Sequence, residues 1–124
     1  MATNQRTGKV YISIDGLVQE SMDGAKLTGA EGTERDAVTG TSVFGYMEKT
    51  VVPTIDCEFA HGNGISIMAL NAITNSTITF ACDSGPIFLL NNAWKSKAIE
   101  LTGGQGKLAA QFQGKTCTEI ILPA

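Results

Sequence analysis

Residues 77–90, Thr77-Ile78-Thr79-Phe80-Ala81-Cys82-Asp83-Ser84-Gly85-Pro86-Ile87-Phe88-Leu89-Leu90, hold two strand patterns around a turn. In the first, Ile78, Phe80 and Cys82 alternate with Thr77, Thr79 and Ala81, the period of a strand with one buried face. Asp83-Ser84-Gly85 supplies turn chemistry. The second run, Ile87 to Leu90, is apolar on both faces. Such a strand needs cover on both sides, from its own domain on one and, as a candidate, from another subunit on the other.

The same period recurs outward from this hairpin. Val10, Ile12 and Ile14 alternate with Lys9, Tyr11 and Ser13, and Asp15-Gly16 then turns the chain into a short return strand near Leu17 to Gln19. From Thr41, Val43, Gly45 and Met47 oppose Phe44, Tyr46 and Glu48. Beyond Pro53, which suits a bend or an edge, Ile55, Cys57 and Phe59 oppose Thr54, Asp56 and Glu58. Ala98 to Leu101 and Lys107 to Phe112 flank the turn Gly103-Gly104-Gln105-Gly106, and Cys117 to Leu122 forms a last strand. After the turn material His61-Gly62-Asn63-Gly64, Ser66 caps one short helix over about 65–73, with Ile67, Leu70 and Ile73 on one stripe. Between Glu20 and Asp36 the pattern lapses: three glycines, five acids and Leu27 alone to anchor a strand predict a long loop over 20–36. The expectation is a mainly β, sandwich- or barrel-like single domain spanning 1–124.

Composition agrees. The chain has 124 residues with 14 glycines, 14 threonines and one tryptophan, a mix suited to strands and turns. Nine Lys and Arg against twelve Asp and Glu is the wrong balance for a nucleic-acid reader. The N-terminus MATNQRTGKV lacks the apolar run of a secretory signal. The stretch from Phe59 to Cys82 lacks charge but holds His61, several Asn and several Ser and Thr, so no membrane insertion is expected. Cys57, Cys82 and Cys117 are an odd count without clustered spacing, read as reduced thiols in a cytoplasmic setting.

Chemistry-bearing patterns are weak. Asp56 and Glu58, two apart on a strand face, lie roughly 6.5–7 Å apart, a spacing that suits two carboxylates flanking a glycosidic bond. A solvated strand face explains them more simply. Cys57, His61, Cys82 and Cys117 lack the close pairs of a zinc site, and no Cys–His signature accompanies them. Gly62-Asn63-Gly64 lacks the third glycine of a dinucleotide fingerprint, and Gly103–Gly106 lacks the Lys-Ser/Thr of a phosphate loop. No catalytic, metal or cofactor site is expected.

The order of several segments resembles Mu-like phage tail tube proteins. They are Asn4-Gln5-Arg6-Thr7-Gly8, the strand ending Ile14-Asp15-Gly16, Gly32-Thr33-Glu34-Arg35-Asp36-Ala37-Val38-Thr39-Gly40 with Val43-Phe44-Gly45-Tyr46, and Asp83-Ser84-Gly85 with Asn92-Ala93 beyond. Gly32 to Asp36 carries most of the weight, and Pro86 departs from the pattern just after the turn. The resemblance implies a structural virion protein, not an enzyme. Six subunits would form a ring with sheets joined edge to edge around a lumen, and stacked rings would form the tube of a contractile tail that conducts DNA during ejection. The implied partners are further copies of the chain, the tail sheath, the baseplate or its initiator, the tail terminator, and a tape measure protein in the lumen before ejection. DNA would pass without specific binding, and assembly would take place in the host cytoplasm.

A ring would remove the open sheet edges that are liabilities in a monomer. On this reading Glu20, Asp23, Leu27, Glu31, Glu34, Arg35 and Asp36 in the long loop, and Ile87, Phe88, Leu89 and Leu90, are candidate subunit contacts. Candidate lumen linings are Thr54, Asp56 and Glu58 on one face, or Gln111 and Gln113 on another. The rival from a different class is a monomeric β-barrel module that binds a small ligand or peptide.

Overall fold

The computed structural model describes residues 4–19, 24–62 and 66–121. Its elements in chain order are β1 (Val10–Ile14), β2 (Leu17–Gln19), β3 (Lys26–Thr28), β4 (Thr33–Thr39), β5 (Val43–Thr50), β6 (Thr54–Ala60), α1 (Ile67–Asn71), β7 (Ser76–Cys82), β8 (Ile87–Lys95), β9 (Glu100–Thr102), β10 (Lys107–Gln113) and β11 (Thr116–Ile120). All strand pairs are antiparallel. The main sheet runs β2-β1-β7-β8-β10-β6-β3, with β11 also on β8 and β9 on β10, while β4 and β5 pair only with each other.

Strand β8 is common to two layers. Its first half lies between β7 and β11, with Leu90 opposite Ile78 on one side and Cys117 on the other. Its last residues, Trp94 and Lys95, pair with Gln113 and Phe112 of β10. The switch falls at a register shift between Ser76 and Ile78 of β7, beside Asn92, whose φ of 52° puts a non-glycine residue in the left-handed region. The Asn92 side-chain amide donates to Asn75 Oδ1 at 2.7 Å and ties the corner down.

The two layers close on one core. The β1-β7-β8 layer gives it Ile12, Ile14, Ile78, Phe80, Leu90 and Ala93, and the β6-β10 layer gives Ile55, Cys57, Phe59, Leu108, Ala110 and Phe112. Phe59, on the face that the alternation over residues 54–59 groups with Ile55 and Cys57, is fully buried, and so is Phe112. The Asp15-Gly16 turn has φ of 50° and 87°, the two positive values that a two-residue hairpin requires. Pro86 leaves the 83–85 turn intact, because its carbonyl still accepts from Cys82 N at 3.0 Å.

Three expectations change. The helix is shorter than 65–73, running Ile67–Asn71 with the Ser66 hydroxyl accepting from Ala69 N at 3.2 Å. The apolar strand that begins at Ile87 continues to Lys95. Residues 20–36 are not one long loop: β3 occupies 26–28 and β4 begins at Thr33. Both strands escaped notice because neither shows period-two hydrophobicity. β3 has one apolar residue, and β4 alternates charges above and below its plane.

Gly114 marks the tightest approach between layers. A Cβ there would sit 2.7 Å from Leu90 Cδ1 and 2.9 Å from the Asn91 carbonyl, which is backbone and has little room to give. Gly114→Ala is expected to lower unfolding free energy by about 1–3 kcal/mol, the usual cost of overpacking. Gly103→Ala, where a Cβ meets nothing within 4 Å, serves as the control. Equilibrium urea denaturation of both variants checks the difference.

Candidate functional site

The β4–β5 hairpin stands apart from the body as an arm. Its seven register pairs run from Thr33–Thr50 at the base to Thr39–Val43 near the tip, about 20 Å at the usual rise per residue. At the root, Val51 N donates to the Gly32 carbonyl at 3.1 Å. Gly29 also fits against Val52 there, where a Cβ would lie 2.9 Å from the Val52 carbonyl oxygen. Every residue of β5 is exposed, on both faces.

The arm has two zones. Near the base its charges satisfy one another: Lys49 Nζ lies 3.0 Å from Asp36 and 3.8 Å from Glu34 on one face. On the other, Arg35 Nε lies 3.6 Å from Glu48 Oε1, and the guanidinium sits 5.3 Å from the Tyr46 ring centroid. The neighbouring Asp36 and Glu34 carboxylates hold the Lys49 ammonium above its ordinary pKa. These pairs are open to solvent, so they fix register more than they add stability. Toward the tip, residues 37–47 carry no charge at all. Val43, Phe44, Tyr46 and Met47 are 73%, 67%, 62% and 59% exposed, four large apolar side chains displayed on the two faces of one hairpin.

The second feature is the outer face of the β3-β6-β10-β9 layer. Register places Thr28, Thr54, Gln113 and Trp94 in one row, Lys26, Asp56 and Gln111 in the next, and Glu58, Ala109 and Glu100 in a third. Gln111 Nε2 donates to Asp56 Oδ1 at 2.8 Å, and Ser96 Oγ donates to Gln111 Oε1 at 2.7 Å. Lys107 Nζ pairs with Glu58 Oε2. Thr54, Asp56, Glu58, Gln111 and Gln113, taken from the sequence as two alternative faces, therefore form one. The pairing of β6 with β10, close to fifty residues apart, decides this, and no local pattern reports it. Lys26, Ser96 and Lys107 belong to the same face and escaped the sequence reading for the same reason.

The other candidates separate. Glu20 and Asp23 lie outside the described residues. Leu27 is half-buried and packs against the core, and Glu31 sits with Ala30, Phe88, Cys117 and Glu119 around an open groove of about 390 Å³ between the layers. Glu34, Arg35 and Asp36 belong to the arm. Leu90 is fully buried and Phe88 packs on the core, so of the four apolar β8 positions only Ile87 and Leu89 turn outward. The residues missed by sequence as candidate contacts are Val43, Phe44, Tyr46 and Met47, read only as the two faces of an alternating strand. The run of eleven uncharged residues around Gly40-Thr41-Ser42 was their available signal.

The chemistry-bearing side chains Asp56, Glu58 and Cys57 are already engaged or buried. The Asp56 and Glu58 carboxylates are engaged by Gln111 and Lys107. Cys57 is buried with its Sγ 3.7 Å from the Ala110 carbonyl, and burial, aided by Asp56, pushes its thiol up to about 12. Among the described residues no helix is long and apolar enough to cross a membrane.

Comparison with known proteins gives the family. The family model for the phage tail tube protein matches residues 3–119. The chain belongs to the phage tail tube family. It is 34% identical over 105 residues to the tail tube protein of Escherichia phage Mu, covering 85% of this chain and 88% of that one. It is 31% identical over 120 residues to the Mu-like prophage FluMu tail tube protein of Haemophilus influenzae, covering 97% and 99%. A chain in the cryo-EM structure of the anti-feeding prophage cap, the AFP tube terminating cap, shares the fold with a TM-score of 0.66 over 98% of this chain and 95% of that one, at 11% identity. The role of a tail tube protein is structural, as a component of the virion tail.

The Cys57 thiol gives this subunit a pH signature. Its folded pKa lies above the unfolded value near 9, so the folded state keeps a proton that the unfolded chain releases. That contribution is intact below about pH 9 and is lost as pH rises toward 12. Urea midpoints measured from pH 8 to pH 10.5 are expected to fall, and Cys57→Ala should flatten the decline while lowering the starting value.

Proposed function

We propose that the chain forms rings, hexameric in the family pattern, that stack into the tube of a contractile tail and conduct DNA at ejection. The observation that carries this reading is the arm: a preformed hairpin, detached from its own body, with an uncharged apolar tip. Among the described residues β2, β3, β9 and β11 each pair on one side only, which fits edge-to-edge joining of sheets between subunits. Glu31, Glu34, Arg35, Asp36, Ile87 and Leu89 remain contact candidates, with the arm tip added to them.

The polar face of β3, β6 and β10 is the candidate lumen lining. Thr54, Asp56, Glu58, Gln111 and Gln113 present acceptors and amides, with Lys26 and Lys107 offset by Asp56, Glu58 and Glu100. A surface whose cations are matched by neighbouring carboxylates gives phosphate little to hold, so DNA slides without specific binding. Sheath, baseplate initiator, terminator and tape measure protein are the partners this role requires, with assembly in the host cytoplasm. A monomeric ligand-binding module, by contrast, would leave the arm without a purpose.

Excising residues 37–47 and joining Asp36 to Glu48 through Asn-Gly removes the distal arm while sparing every core residue. The product is expected to be a folded monomer with an unchanged melting transition that forms no rings or tubes by analytical ultracentrifugation and electron microscopy. Tubes at the wild-type concentration would overturn the role of the arm. For the lumen, Asp56→Lys with Glu58→Lys should leave assembly intact but slow DNA ejection, since each new phosphate contact attracts by about 1 kcal/mol or more at close range. Normal ejection would place this face elsewhere on the tube.

A further inference from the structure

The outer face of the β1-β7-β8-β11 layer has an unusual composition. Register sets Tyr11, Ala81, Ile87 and Ile120 side by side across four strands, and Ser13, Thr79, Leu89 and Thr118 in the next row. None of these eight residues is charged. None belongs to the core cluster or to the side chains packed against it, so all eight lie on the opposite face from Ile12, Phe80 and Leu90. Tyr11 is 51% exposed and Ile120 37% exposed at the two ends of the apolar row, with Ala81 and Ile87 half-buried between them.

We propose that this face receives the arm tip of a second copy of the chain. The inference rests on the assembly reading above and adds to it the receiving surface and the force that holds it. Charge selects the site. The tip, residues 37–47, is uncharged, and a tip without charge gains nothing by desolvating ions on its partner. The polar face of β3, β6 and β10 carries Lys26, Asp56, Glu58, Glu100 and Lys107, and the groove between the layers is rimmed by Glu31 and Glu119. The two rows on β1, β7, β8 and β11 are eight adjoining described positions without an ion, bordered on one side by Lys9 and Asp83.

Geometry agrees. The arm is about 20 Å long and, among the described residues, its strands pair only with each other, which carries the tip away from its root. A protruding patch that fits a surface elsewhere on the same molecule makes a head-to-tail contact, which closes into rings or runs on as filaments. Tip and face together account for the outward half of the doubly apolar strand β8 and for the half-exposed Tyr11. Arg35, Glu48 and Lys49 have ion-pair partners within the arm, so the uncharged tip beyond them is the part that docks.

The test is a mixed cross-link in a background with Cys82→Ser and Cys117→Ser, Cys57 being buried. One preparation carries Phe44→Cys, and the other carries Tyr11→Cys or Ile120→Cys. Under oxidation the mixture is expected to give a disulfide-linked dimer that neither preparation gives alone. Tyr11→Glu in the otherwise native chain should raise the concentration needed for assembly roughly tenfold or more, since a carboxylate must then be buried unpaired. Its melting transition should stay put. Assembly should also persist from about 0.1 M to about 1 M sodium chloride, where the screening length falls from about 10 Å to about 3 Å. If tubes form but Phe44→Cys links instead to Glu58→Cys or Glu119→Cys, or if salt dissolves them, the receiving face is wrong and the assembly reading survives. If the native chain stays monomeric at millimolar concentration even on an initiator complex, both fall together.

Discussion

A single strand shared between two layers is the constraint on which the rest of this subunit depends. β8 pairs with β7 and β11 through its first half and with β10 through its end, and the Asn92 corner makes the change of layer possible. With the layers hinged on one strand, their inner faces meet over Ile78, Leu90, Phe59 and Phe112, and their outer faces are free to differ. They do differ: eight adjoining positions of one carry no charge, with Tyr11, Ala81, Ile87 and Ile120 in an apolar row, while the other is polar and ion-paired. A molecule with two such faces has a built-in orientation within any ring.

The arm obeys a separate logic. Most of the body's stability comes from apolar burial, whereas the arm buries almost nothing and holds its register by cross-strand pairs at its base. This division lets the tip be apolar without being drawn into the core. Lys49, set between Glu34 and Asp36, keeps the hairpin shape while leaving the distal surface chemically plain.

How much was legible in the sequence follows from the distance over which each feature is encoded. β1, β6 and β7 show alternation within a few residues, and Asp15-Gly16 and Asp83-Ser84-Gly85 are local turn chemistry, so these were readable. β4 was not, because Glu34, Arg35 and Asp36 point alternately to two wet faces and their partners lie on β5. The joining of Asp56 with Gln111, and of Tyr11 with Ile120, depends on pairings between distant segments that no window of sequence contains. Family resemblance supplied the role, but only register shows which residues share a surface.

The arm's independence also sets an order of maturation. Its strands are joined by three residues and their pairs are close in the chain, so the hairpin can close soon after residue 50 leaves the ribosome. The body cannot. β1 waits for β7, more than sixty residues later, and β8 gains its flanking strand β11 only once residue 120 has been made. Each nascent chain can thus complete its arm while the layer of β1, β7, β8 and β11 is still unassembled.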